Sequence, residues 1–386
     1  MDLTLTEDQE LIASTARELL EARKETAGAR AVRDDPAGYS AALWKEMVEL
    51  GWTGLPFAEE HGGLGAGYLE ACLVFEQLGY ALVPSPLLTT VACCGLPIAR
   101  FGTAEQRERW LGAISRGHVL ACAPLPWDRP GDGPVATADG DGFRLDGTAR
   151  LVPYAGAAGD LLVAAWTDGG GGGGGGGGRS DSSGEARAFL VDATDPGVTL
   201  RPTETVGADR PQDVGFADVR VPADRVVGTD GAAPEAISAF GAAAVCAEMT
   251  GAAQRVLDMT VEYATTREQF GTSIGTFQAV QHHCADMAID VLGSRFIAYE
   301  AVWRLSAGWE AVQEVSMAKA WVSEAYQRVC ALGHQVHGAI GFTEEHDLHL
   351  FTRHAMTSAL AFGDDDMHLE RLATGLGLDL PDRAGG

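Results

Sequence analysis

The spacing of apolar residues changes twice along this chain of 386 residues, and that pattern restricts the fold more than any other feature. From residue 1 to about 118 the spacing is helical. Thr6 with Gln9 makes a capping-box pattern ahead of Leu11, Ile12, Leu19 and Leu20, and Thr103 with Gln106 repeats it ahead of Trp110, Leu111 and Ile114. From about 119 to 228 the helical period gives way to short runs such as "FRLDGTARLV", "GDLLVAAW", "AFLVDA" and "VGFADVRVP", separated by Gly, Pro and Asp turns. From 229 to 386 long helical patterns return, beginning with "APEAISAFGAAAVCAEMTGAAQRVLDMTVEYATTREQF", whose small residues allow close helix packing. The chain reads as α+β: a helical N-terminal domain (1–118), a middle β domain (119–228) and a C-terminal helical domain (229–386). Ten consecutive glycines, 169–178, open a Gly/Ser stretch to 184 that cannot bury apolar surface, so it is expected to be a flexible loop between two strands.

Composition narrows the function classes. With 46% hydrophobic and 21% charged residues the chain is that of a globular protein, not a disordered one. A net charge of −26 opposes nucleic-acid binding, because the dominant electrostatic term would be repulsive, and any anionic ligand needs a local basic site. Seven cysteines without a CxxC pair favour neither a disulfide framework nor a zinc site. The acidic "MDLTLTEDQELI" lacks the features of a signal peptide, and no apolar run approaches the roughly 18 residues that span a bilayer. The expectation is a cytoplasmic protein without membrane segments.

One stretch carries more chemistry than an amphipathic helix needs: "REQFGTSIGTFQAVQHH", 267–283. Arg267, Gln269 and Phe270 are expected to end one helix, Gly271 to Gly275 to turn, and Phe277, Gln278, Gln281 and His282 to begin the next. Gln278, Gln281 and His282 share a face. An arginine for phosphate, amides and two phenylalanines for a ring suit a large polar ligand, and a corner satisfied by its own side chains fits equally.

At this point the sequence resembles the acyl-CoA dehydrogenase family. The resemblance rests on "LTEDQELI", "PFAEEHGGLG", "FGTAEQRERWLGAISRGH", "FRLDGTARLVPYAGAAGDLLVAAW", "REQFGTSIGTFQAVQH" and "HQVHGAIGFTEEHDLHLFTRHA", in order along nearly the whole chain. It implies a helical N-terminal domain, a β-barrel middle domain and a C-terminal four-helix domain. It implies FAD in a dimer-related site, removal of an acyl-thioester α-proton with β-hydride transfer to the flavin, and electrons passed to an electron-transfer flavoprotein. Arg267 and Gln269 would contact the pyrophosphate and ribose, with Phe270, Phe277, Gln278 and Gln281 beside them. Gln335 and Gly338 of "QVHGAIG" would complete that site from the neighbouring subunit, with Ala339 where the family has a second glycine.

The departures lie at the chemistry. The family's glutamate base nine residues after the LxxYxR arginine falls on Phe362, counted from Arg353, and its alternative, twenty-six residues before Arg267, falls on Gly241. Neither can take a proton. Asp364, where the family often has a threonine touching FAD, and Glu248, two turns beyond Gly241, are the substitute candidates. Helix capping accounts for Asp364, and a structural hydrogen bond for Glu248, without invoking catalysis. Pro153 in "LVPY" offers neither the hydroxyl nor the amide that the family presents to flavin, while Trp127 is a candidate stacking partner or a surface anchor.

Three functional readings follow. The first is an FAD-dependent dehydrogenase of acyl-CoA or acyl-carrier-protein thioesters with a displaced base. The second is a half-catalytic subunit whose related partner supplies the glutamate, in a heterotetramer rather than a homodimer or homotetramer. The third is a flavin-dependent oxidase or oxygenase, disfavoured by retention of "REQFG" and "QVHGAIG". No metal site is expected, since adjacent His282 and His283 face apart and His337 and His346 lack a third ligand at suitable spacing.

Overall fold

The structure is a computed structural model that describes residues 4–126, 133–167, 185–228 and 231–378. The glycine run and Trp127 lie outside the described residues.

Helices come first: α1 (Glu7–Ala27), α2 (Ala41–Glu49), α3 (Tyr68–Ala81), α4 (Leu96–Phe101), α5 (Ala104–Gln106) and α6 (Gly112–Ser115). Both capping boxes read from the sequence are present, Thr6 with Gln9 and Thr103 with Gln106. Strands follow: β1 (Leu120–Ala123), β2 (Val135–Asp139), β3 (Gly142–Val152), β4 (Asp160–Thr167), β5 (Ala186–Asp192), β6 (Val198–Pro202), β7 (Gln212–Val221) and β8 (Val226–Val227). They form one sheet in the order β6-β7-β3-β2-β4-β5-β8, with β1 and β2 sharing one edge of β4 in succession.

Among the described residues this path does not close by hydrogen bonds, so the middle domain is a curled, barrel-like sheet rather than a closed barrel. Side-chain alternation explains the curl. Leu161, Val163 and Ala165 of β4 and Phe189 and Val191 of β5 join Val214, Phe216 and Val219 of β7 in a core inside the curl. Leu162 and Ala164, with Ala188 and Leu190, point the other way into the helical core. Both faces of β4 and β5 are buried, which accounts for their nearly unbroken apolar sequences.

The C-terminal part holds α7 (Ala232–Thr266), α8 (Gln278–Ser306), α9 (Val312–His337), α10 (Leu348–Leu360) and α11 (Asp365–Gly375). The first four pack as a bundle and α11 lies on α9. By length and composition α7 could cross a membrane, contrary to the sequence reading, but 78% of its most apolar window is buried in the core. It is the central helix of the fold. It packs against α3 at two glycines: a Cβ on Gly79 would overlap the Glu248 carbonyl, and one on Gly251 would overlap that of Glu76. The helices therefore meet backbone to backbone. All seven cysteines are free and six are buried.

Candidate active site and cofactor clamp

Two groups of residues singled out from the sequence lie at opposite ends of α7. Near its beginning is the seat of the missing base. Between α10 and α11, Phe362 adopts φ 58° and Gly363 φ 106°. A bulky side chain in the left-handed region is strained and persists only where its surroundings fix it. Gly363 sits where an L side chain is strained whatever the space around it. The Phe362 ring lies directly on Gly241, so closely that a Cβ there would overlap it. The two positions where the family carries a glutamate thus meet in space, filled by one phenyl ring on one glycine.

Two buried side chains pin this segment. Lys319 of α9, fully buried, donates to the carbonyls of Ala359 (2.7 Å) and Gly363 (2.9 Å) and to Ser323 Oγ (3.0 Å). Burial lowers its ammonium to about 8. His368 Nε2–H donates to the Phe362 carbonyl at 3.0 Å, and burial, with Lys319 adding repulsion, holds the imidazole neutral down to about 4. Asp364 caps α11, accepting from the Met367 amide at 2.9 Å. That engages one of its carboxylate oxygens as a cap.

Glu248, two turns further along α7, faces a polar junction of all three domains. Its Oε2 lies 3.9 Å from His354 Nε2. Tyr326 O–H donates to the Phe351 carbonyl (3.0 Å), so its oxygen accepts from His354 Nδ1 (3.2 Å) and the imidazole proton sits on Nδ1. Nε2 then faces Ser358 Oγ (3.1 Å) and Glu248. From the loop between β6 and β7, Asp209 reaches the same place; burial pushes its carboxyl up, and the Glu248 charge pushes further. Tyr154, which follows Pro153, is buried beside it with Tyr39 edge-on at 5.9 Å.

At the far end of α7 the expected helix corner is a hairpin. The helix stops at Thr266, with Arg267 already extended as its C-cap. β9 (Glu268–Gln269) pairs antiparallel with β10 (Thr272–Ser273) across Phe270 and Gly271, both at positive φ as a two-residue hairpin turn requires. The sequence reading puts the turn at Gly271 to Gly275 with Gln269 and Phe270 ending a helix, whereas the turn falls at Phe270 and Gly271 and Gln269 lies in a strand. Phe270 is 93% exposed and meets Phe277 edge-on at 6.0 Å. Gln278 and Gln281 open α8, both exposed, with Gln281 Nε2 on the Gly275 carbonyl.

The second motif adjoins the first on the same chain. Tyr263, four residues before Arg267, stacks on His337 at 4.6 Å, and the chain then turns at Gly338, φ 63°. Gln335, Gly338 and Ala339 are exposed. The resemblance assigns the two motifs to different subunits around one FAD, and within this chain the Tyr263–His337 stack brings the segments that carry them near each other. His337 Nε2 and His334 Nδ1 are buried there without partners, and burial lowers both imidazoles. A cavity of about 410 Å³ between α9 and α10 is lined by His334, Gln335, Phe342 and Met356.

Sequence reasoning missed Lys319, His354, Asp209 and His368. Only Lys319 left a signal: a lone cation on the apolar face of Val315, Val322, Tyr326 and Val329.

The architecture of helices, curled sheet and helices defines a class. The profile described as acyl-CoA dehydrogenase, N-terminal domain, matches residues 6–118, and that of the C-terminal domain matches 235–377. The chain belongs to the acyl-CoA dehydrogenase family. Acyl-CoA dehydrogenase FadE27 of Mycobacterium tuberculosis is 34% identical over 344 residues, covering 86% of this chain and 87% of that one. A chain of the ChsE4-ChsE5 complex from the same species superposes with TM-score 0.87 at 31% identity, covering 99% and 100%. Butyryl-CoA dehydrogenase of Megasphaera elsdenii gives 0.86 at 26%, covering 97% and 100%. This protein is accordingly an acyl-CoA dehydrogenase-type oxidoreductase.

Proposed function

We propose that this chain is the subunit without a base in a heteromeric, FAD-dependent acyl-CoA dehydrogenase, whose related partner chain supplies the glutamate. The observation that carries this reading is the phenyl ring of Phe362 lying on Gly241. A carboxylate can stand at neither position while that ring is there. The ChsE4-ChsE5 neighbour, a complex of two named chains, supports the heteromer.

The residues at the clamp suit FAD. The Arg267 guanidinium is exposed and has no carboxylate partner among the described residues, in a chain of net charge −26, and Gln269, Gln278 and Gln281 of the same motif are exposed too. A Cβ on Gly338 would meet nothing within 4 Å, so its backbone is open to a phosphate. Arg267 would pair with phosphate, Gln269 and Gln335 would hydrogen-bond the ribose and pyrophosphate, and Phe270 and Phe277 would cover the adjoining surface. FAD, when bound, accepts the β-hydride of the acyl thioester as the α-proton leaves, and its electrons go on to an electron-transfer flavoprotein.

Twenty-six residues of helix separate Gly241 from Arg267, about 39 Å at 1.5 Å per residue. That exceeds the reach of one dinucleotide. The clamp of this chain therefore serves the flavin of a neighbouring subunit.

A second reading has one observation in its favour, the Glu248 carboxylate 3.9 Å from His354 Nε2, which sets a second titratable group beside it. In that case Glu248 is the base of a self-sufficient dehydrogenase of CoA- or carrier-protein-bound acyl groups. The deciding measurement is the visible spectrum of the chain purified alone, before and after anaerobic addition of a panel of acyl-CoAs. No bleaching by any thioester, with bleaching restored by a co-expressed related chain, supports the heteromer. Bleaching of the lone chain that Glu248→Gln abolishes establishes the second reading instead.

A further inference from the structure

The segment between α10 and α11 holds Phe362 in the left-handed region, and the structure shows what maintains it. The end of α10 at Leu360 leaves its last carbonyls without helical partners, and the connector to Asp364 adds those of Phe362 and Gly363. Lys319 takes two of them, Ala359 and Gly363, one on each side of Phe362. His368 takes that of Phe362 itself. Lys319 is wholly buried, and its three N–H groups meet three acceptors with none left over.

We propose that Lys319 is a positioning residue, whose ammonium clamps the carbonyls on either side of residue 362 and so presents that side chain to Gly241. The inference rests on the reading of residue 362 as the base position for its catalytic meaning, and on geometry alone for the clamp. A surface lysine would hold nothing, because water would compete for every bond. Here each bond is charge-assisted and dry. A neutral amine keeps two N–H groups for the two carbonyls and can accept from the Ser323 hydroxyl, but the bonds to the carbonyls are no longer charge-assisted. Loss of the proton therefore weakens both ends of the clamp, and the segment loosens.

The titratable groups facing Lys319 are Cys246 on α7 and Asp364, Asp365 and His368 at the start of α11. Cys246 is pushed up to about 12 and His368 is held at about 4, so a titration between pH 7 and 9 reads Lys319, at about 8, apart from them.

The experiment places a single 4-fluorophenylalanine at position 362 of the full chain and follows its fluorine resonance alongside the 15N resonance of Lys319 Nζ. The expected result is one sharp fluorine line at pH 7 that shifts or splits in step with the Nζ titration. Lys319→Met, folded as judged by cooperative unfolding, should show the shifted or split signal already at pH 7. A fluorine line unmoved while Nζ titrates, or unchanged in Lys319→Met, overturns the proposal. If Lys319→Met does not fold, the titration of the fluorine-labelled chain that keeps Lys319 decides by itself. Neither readout requires flavin or acyl-CoA, so failure of the heteromer reading leaves it intact, and the reverse.

Discussion

The two ends of α7 differ in how far they satisfy themselves. At the beginning, Gly241 is covered by Phe362, and the carbonyls around that ring are taken by Lys319 and His368. At the end, Arg267, Gln269 and Gln335 are exposed, Phe270 stands in solvent, and two buried histidine nitrogens have no partner. One end is satisfied within the chain and the other leaves polar groups open. The difference teaches that the position where a glutamate is expected is no hole: a ring fills it and buried donors fix the backbone around it.

The largest test of the closed end is acid. His368 titrates at about 4 when folded, against 6.5 in an unfolded chain. A lowered histidine contributes stability that is fully present above the unfolded value and is lost as pH falls through the folded one. Unfolding free energy should fall by roughly 3 kcal/mol between about pH 6.5 and 4. Urea melts across that range would show it, and His368→Gln should flatten the slope. A slope unchanged by that substitution would mean the lock does not depend on this imidazole.

A steric test comes next. Gly241→Leu should lower stability by about 2 kcal/mol, since overpacked cores lose 1 to 3, and adding Phe362→Ala should return most of the loss. Independent, additive losses in the double-mutant cycle would break the pairing of these two residues.

The open end should respond in the opposite manner. Arg267→Ala is expected to weaken flavin binding in the assembled protein about tenfold, as loss of one charge-assisted bond of about 1.4 kcal/mol would. The flavin-free chain should melt within about 0.5 kcal/mol of the parent, as exposed sites usually do. Flavin titration by fluorescence quenching and a thermal melt measure the two. A destabilised chain would show that Arg267 is structural.

The smallest effect concerns Asp364. Asp364→Ala should cost about 1 kcal/mol, the ordinary loss of an N-cap, whereas Asp364→Asn, which still caps, should cost less than about 0.5. If Asp364→Asn abolishes bleaching of the assembled enzyme at unchanged stability, the residue has a chemical role besides its cap.

Local signals were legible where they act locally. Thr6, Gln9, Thr103 and Gln106 announce helix starts within four residues of sequence, and the strands of the curled sheet announce themselves by composition. The residues of the clamp could be named from their motifs. Their conformation was misjudged, because a hairpin of two-residue strands is too short to show alternation. The contact of Phe362 with Gly241 joins two distant stretches of sequence and could not be seen in either. His354 and Asp209 look like ordinary surface residues until α10 and the loop between β6 and β7 converge on Glu248.

The meeting of α3 and α7 at Gly79 and Gly251 has a mechanical consequence. Layers of side chains let packed helices slide by small rotamer changes, and here no such layer intervenes. The joint works as a rivet. At these two points α3 and α7 cannot slide past each other without first separating.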